Sequence, residues 1–142
     1  MPWLYEGKEY NPEELDPKKI YGFVYLIENL ETGKMYIGKK FLFATKTRQV
    51  NKKKKRYKAE SDWRDYYGSS EALLEDVRAL GKNKFRRTIL HLCKTKAECA
   101  FLEAKEQFDR NVLLSDNYYN SWISVRVRKA HLAGLQDEKT VV

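Results

Sequence analysis

The chain has 142 residues, enough for one domain with a modest core and too few for two domains of usual size. Against 20 Asp and Glu stand 28 Lys and Arg, and the formal net charge of +8 favours a polyanionic partner; nucleic acid, a ribosomal particle and an anionic membrane surface all fit that sum. No run approaches the roughly twenty apolar residues of a membrane span. The opening Met1-Pro2-Trp3-Leu4-Tyr5-Glu6 lacks the pattern of a signal peptide, and two cysteines make no disulfide framework, so a cytoplasmic protein with reduced thiols is expected.

In chain order, residues 1–19 are polar and carry Asn11-Pro12 and Asp16-Pro17, which predicts an irregular lead-in with one helical turn near Pro12–Leu15, packed on the domain through Trp3 and Tyr5. Tyr21 to Ile27 is rich in β-branched and aromatic residues, Glu31-Thr32-Gly33-Lys34 is a turn signal, and Met35 to Gly38 resume strand character. A hairpin follows, and it brings Tyr25 and Tyr36 to one face within about one register step. Next, Lys46 to Lys58 holds eight basic residues and no acid, a density that resists packing and predicts a mobile surface loop.

Ser61 caps a short predicted helix that ends near Gly68, and Ser69 or Ser70 caps a clearer one, with Leu73, Leu74, Val77 and Leu80 at helical spacing and Gly81 as its stop. Thr88 to Leu92 predicts a buried strand. Thr95 and Glu98 form a capping-box pattern opening a helix whose Phe101, Ala104, Phe108 and Val112 make the stripe expected to seat on the sheet. Glu103 lies off that stripe, where a solvated surface glutamate would also lie. Cys93, Cys99 and His91 lack a fourth ligand and a paired motif, so they do not read as a zinc site. Residues Trp122 to His131 alternate apolar and basic at first, which predicts a strand or extended arm with a cationic face.

Phe23-Val24-Tyr25 and Tyr36-Ile37-Gly38 in one hairpin, Glu103 on a later helix and Asn120 in Tyr118-Tyr119-Asn120 resemble the GIY-YIG nuclease family over Tyr21 to Asn120. The first triplet is degenerate and the second intact. This resemblance implies an α/β domain, a small, mainly antiparallel three-stranded sheet flanked by helices, over residues 20–121, with a basic insert at 46–58 and a basic C-terminal arm at 122–142. It also implies a DNA endonuclease that uses Mg²⁺ or Mn²⁺ and leaves 5′-phosphate and 3′-hydroxyl ends. The size, the lysine-rich insert and Tyr67-Gly68-Ser69-Ser70 resemble the free-standing, homing-type phage nucleases related to the Seg group.

Carried over position by position, the resemblance makes Glu103 the metal ligand, with Glu106 its competitor, and makes Tyr25 and Tyr36 the phenols that position or deprotonate the attacking water. Tyrosine is an awkward base, but Lys39 and Lys40 follow directly and favour the phenolate. Asn120 orients the site through its amide, or alternatively closes a turn. An arginine expected soon after the second strand is displaced, which leaves Arg48, Arg56 and Arg64, with Arg48 favoured by proximity and Lys40 able to supply a point charge.

DNA contacts are expected from Lys52, Lys53, Lys54, Lys55 and Arg56, from Trp63 among the interleaved rings, and from Arg126, Arg128 and Lys129. No helix offers Asn, Gln and Arg at groove spacing, so specificity is loose, supplied by the C-terminal arm, or borrowed from a protein partner. The rival reading is a non-catalytic nucleic-acid-binding protein on the same scaffold.

Overall fold

The computed structural model describes residues 1–136; residues 137–142 of the expected basic arm lie outside the described residues. The lead-in is irregular only in part: residues 10–20 form no helix or strand, so the helical turn expected near Pro12–Leu15 is not made. It supplies β1 (Trp3–Tyr5), which turns through Glu6 and Gly7, both at positive φ, into β2 (Lys8–Glu9). The expected hairpin is β3 (Gly22–Asn29) and β4 (Met35–Phe41). Asn29 anchors its turn, its side-chain oxygen accepting from the amides of Glu31 (2.9 Å) and Thr32 (3.2 Å).

Residues expected as a mobile loop instead form β5 (Phe43–Val50) and β6 (Lys53–Glu60), an antiparallel ribbon closed by Asn51 and Lys52, both at positive φ. That pair of φ values is the two-residue turn whose twist matches a hairpin. The ribbon answers the objection of self-repulsion by hydrogen-bonding in register while holding its cations outward in water. After a 3₁₀ turn at Trp63–Asp65, which buries Trp63, comes α1 (Glu71–Leu80), capped by the Ser70 hydroxyl on the Leu73 amide and closed by Gly81 at φ 95°. β7 (Phe85–Cys93) and α2 (Lys96–Asp109) follow, the latter capped by Thr95 on the Glu98 amide.

The main sheet is five-stranded and mixed, in the order β2-β1-β7-β3-β4, where three strands were expected. β7, β3 and β4 are the expected antiparallel core, and β1 adds to β7 in parallel. β3 lies between β7 and β4 and is covered on both faces, as its nearly continuous apolar run requires. Phe23, Tyr25 and Ile27 face Trp3, Trp63, Phe85 and the α1 residues Leu73 and Val77. Val24 and Leu26 face Ile37, Cys93, Val112 and Cys99 of α2. Between Val24 and Tyr25 the ladder to β7 slips past Leu90, a bulge beside the residue that matters most.

α2 docks on a face that only partly overlaps the predicted stripe: Ala104 and, just past the helix, Val112 are buried as expected, and Phe101 is half-buried. Phe108 is 60% exposed, whereas Cys99, Ala104 and Gln107 are buried and Glu103 turns inward with them. The strip Cys99, Glu103, Gln107 recurs every four residues, so it is one side of the helix. Beyond it, Asn117 and Tyr119 bond to both backbone groups of Met35 and cover the free edge of β4. The segment expected as a strand or extended arm over Trp122–His131 forms no strand: it has no regular structure to Arg128, then a 3₁₀ turn at Lys129–Leu132 and α3 (Ala133–Gln136). Among the described residues, no helix is long and apolar enough to cross a membrane.

Candidate active site

An open cleft of about 1170 Å³ lies along the outer edge of β4. Tyr25, Tyr36, Lys40, Glu103 and Asn120 all line it; Arg48 does not. Strand alternation places Tyr36, Gly38 and Lys40 on the face shared with Tyr25, while Ile37 and Lys39 point to the side where α2 packs. The cleft reaches both sets because β4 is the edge strand.

Tyr25 pairs with Gly38 and Tyr36 with Ile27, so the phenols are diagonal neighbours one same-face step apart, ring centroids 6.2 Å from each other. Gly38 makes this possible, since a Cβ there would collide with the Tyr25 phenol oxygen. Gly68, at φ 96°, closes the site from above; a Cβ on it would stand 2.8 Å from Leu73 and 3.6 Å from the same phenol oxygen. Tyr25 is 1% exposed, and burial, then the Tyr66 and Tyr36 phenols, push its pKa well above the ordinary tyrosine value. Burial also raises Tyr36, whose hydroxyl lies 3.1 Å from that of Ser69.

The phenols are therefore not drawn towards phenolate by Lys39 and Lys40, as the sequence predicted. The reason is that both ammonium groups are already neutralised. Lys39 Nζ sits 3.0 Å from Glu103 Oε1, and Lys40 Nζ sits 2.6 Å from Asp62 Oδ1 and 4.0 Å from the centre of the Tyr66 ring. Glu103, its side chain 12% exposed, has its carboxyl raised because burial outweighs the charge and hydrogen bond of Lys39.

Asn120 acts on the strand rather than on a ligand. Its side-chain oxygen accepts from Ile37 N (3.0 Å) and its NH₂ donates to Ile37 O (2.8 Å), so one amide stands in for a paired peptide at the strand edge. Gln107 Nε2 donates to the same carbonyl at 3.1 Å. Together they hold the middle residue of Tyr36-Ile37-Gly38, which sets the phenol and the glycine on either side of it.

Several sequence assignments are corrected. Arg48 lies on the ribbon with its guanidinium 5.4 Å from the Tyr57 ring centre, Arg56 is exposed on β6, and Arg64 bonds Glu60 and Asn11; among the described residues no arginine lines the cleft. Folding of the basic segment into its own ribbon carries Arg48 away from the cleft. Trp63 is 1% exposed within the core, so it offers no ring to a base. Glu106, the competing carboxylate, is paired with His91 and Arg110, each at 2.9 Å, and does not line the cleft, whereas Glu103 does. Lys52 to Lys55 and Arg56 are exposed on the ribbon, and Arg126, Arg128 and Lys129 are exposed beyond the nuclease-like core.

The sequence reading gave no site role to Lys96 on the first turn of α2, Ser69, Gln107 or the 71%-exposed Trp122, all of which line the cleft. Gln107 was legible in principle as the residue four beyond Glu103; the others come together only through tertiary folding. Among the described residues no group of three or more His, Cys, Asp and Glu gathers. The cleft lining as a whole holds the carboxylates of Glu71 and Glu103 with phenol and hydroxyl oxygens, a set suited to a hard divalent cation completed by water and phosphate, and Glu103 itself is paired with the Lys39 ammonium.

The mixed sheet with a tyrosine pair on its edge hairpin and an inward glutamate on the following helix defines a GIY-YIG-type nuclease scaffold. The family described as "Putative endonuclease segE, GIY-YIG domain" matches residues 3–123, and the chain belongs to that family. It is 34% identical over 102 residues to "Putative endonuclease segE" of Enterobacteria phage T4, an alignment covering 71% of this chain and 40% of that relative. The chain therefore spans well under half the length of the relative it matches. No solved structure matches.

Proposed function

We propose that the chain is a DNA endonuclease, dependent on Mg²⁺ or Mn²⁺, that hydrolyses phosphodiester bonds in the cleft beside β4. One observation carries the reading: two diagonal phenols, a buried carboxylate and two lysines converge there, although the sequence scatters them from Tyr25 to Glu103. Lys96 offers positive charge to the backbone that enters, and Lys40 does so once a phosphate displaces Asp62 from it. Lys39 keeps the Glu103 carboxylate charged and oriented until a cation replaces it. Bound at Glu103, a divalent cation would neutralise the phosphoryl oxygens and lower the pKa of its own water.

The tyrosines remain protonated at neutral pH, so they hold the attacking water by hydrogen bonds instead of removing its proton. Tyr36 reaches into the cleft and Ser69 fixes its hydroxyl, whereas Tyr25 lies beneath it and sets its position. Lys40 stands where an arginine would otherwise brace the phosphate, as a point charge without a fork. A free-standing homing role rests on the resemblance and on the phage origin of the relative.

The test is supercoiled plasmid incubated with purified chain, with and without Mg²⁺ or Mn²⁺. Metal-dependent nicking or linearisation is expected; Glu103→Gln abolishes it and Glu106→Gln leaves most of it. Binding of plasmid with no cutting under any metal would establish the non-catalytic alternative, and loss in Glu106→Gln alone would move the metal ligand.

A further inference from the structure

The β5–β6 ribbon serves no packing purpose over most of its length. Every residue from Thr45 to Lys58 is exposed except Val50, in a hairpin of the kind that is marginal by itself in water. Its two faces differ. Opposed residues in the register share a face, so Thr45, Thr47 and Gln49 lie with Lys58, Arg56 and Lys54, while Lys46, Arg48, Lys53 and Lys55 occupy the reverse.

The first face is continuous with the cleft. Thr45 and Tyr21 line the cleft, and Lys58 on that face donates to the Thr45 hydroxyl (2.8 Å) and the Tyr21 phenol (2.7 Å). A duplex seated in the cleft would therefore meet Thr47, Gln49, Lys54 and Arg56 next. The reverse face carries Lys46, Arg48, Lys53 and Lys55 with Tyr57 and Val50; its one guanidinium, that of Arg48, lies over the Tyr57 ring, and it has no Thr or Gln side chain.

We propose that this ribbon enters the major groove of the duplex and reads base edges with its cleft-side face, chiefly through Gln49 and Arg56. The proposal rests on the nuclease reading of the cleft. A major groove about 12 Å wide admits a two-stranded ribbon, in which the forked guanidinium of Arg56 matches guanine O6 and N7 and the Gln49 amide matches adenine N6 and N7. Arg56 stands opposite Thr47, and Gln49 is two residues further out, about 7 Å and so about two base-pair steps. From root to tip the eight-residue strands reach about 26 Å, so the preferred bases lie to one side of the cut, within about eight base pairs. Lysines of the reverse face then approach the phosphates of the groove wall.

The experiment is selection of bound duplexes from a randomised library by the full chain without divalent metal, followed by affinity measurements on the selected duplex, a scrambled duplex, and the selected duplex remade with 7-deazapurines. A purine preference is expected. Gln49→Ala combined with Arg56→Ala should weaken the selected duplex about tenfold more than the scrambled one, and the 7-deaza duplex should lose a similar factor with the wild-type chain but not with the variant. No selected bases, equal loss on both duplexes, or indifference to 7-deaza substitution would overturn the proposal, the second outcome marking the ribbon as a phosphate clamp. Plasmid cutting is scored separately. A chain that cuts but selects nothing loses only the ribbon proposal, one that selects through these residues but cuts nothing loses only the nuclease reading, and one that binds no duplex loses both.

Discussion

Glu103 carries a cost that its function explains. A carboxyl that titrates higher in the folded chain than in the unfolded one binds its proton more tightly when folded. Its stabilising contribution is full below the unfolded value and is lost as pH rises through the folded one. At neutral pH, Glu103→Gln should therefore melt at or above the wild-type temperature, and the difference should shrink as pH falls through the raised folded value and be gone below the ordinary carboxylate value. Thermal unfolding from pH 3 to 8 checks this; a mutant markedly less stable at pH 7 would mean that the Lys39 pair outweighs burial. Asn120 makes the converse case. Asn120→Asp sets a carboxylate oxygen against the Ile37 carbonyl and removes a donor, at a cost of about 1–3 kcal/mol. A protonated aspartic acid can donate again, so this deficit should narrow with acidification, and a pH-independent deficit would assign Asn120 to packing alone.

At the scale of elements, the ribbon and α2 show where pattern reading stops. The strand signal of Thr45, Thr47 and Val50 was present but masked by charge density, and Asn51-Lys52 lacks the glycine that usually announces a two-residue turn. In α2 the most apolar side was chosen and the helix docked on one that only partly overlaps it, because Cys99, Glu103 and Gln107 meet β4 while Phe108 stays in water. Replacing Lys52, Lys53, Lys54 and Lys55 together by alanine should weaken binding to every duplex. It should also flatten log affinity against log salt by about 0.9 for each phosphate that the variant no longer neutralises. An unchanged slope would move the electrostatic anchoring to Arg126, Arg128 and Lys129.

Over the whole molecule, the N-terminal strands and the site are joined through one buried cation. Arg87, 4% exposed, donates to the carbonyls of Met1, Arg64 and Tyr66 and lies 4.6 Å and 4.1 Å from the ring centres of Trp3 and Tyr67. Burial holds its pKa below the usual arginine value. Lysine lacks the fork that serves three carbonyls, so Arg87→Lys should lower the melting temperature by more than about 5 °C. Deleting residues 1–10 should remove cooperative unfolding altogether, observed as loss of near-ultraviolet dichroism. A deletion that melts like the intact chain would restore the picture of a separate lead-in.

Local chemistry determined the hairpin, the two capped helices, the β7 strand and the family, because β-branched runs, Ser70, Thr95 and the Tyr-Ile-Gly triplet act within a few residues of themselves. The family resemblance, carried over position by position, singled out Tyr25, Tyr36, Lys40, Glu103 and Asn120, which line one cleft. Tertiary structure alone decided which side of α2 faces inward, that β1 joins the sheet in parallel, that Lys39 and Lys40 are neutralised by Glu103 and Asp62, and that Arg48 stays outside. Those outcomes depend on residues far apart in the chain meeting in space. Burial and charge where they meet follow from how whole elements share one core, a quantity that no window of sequence contains.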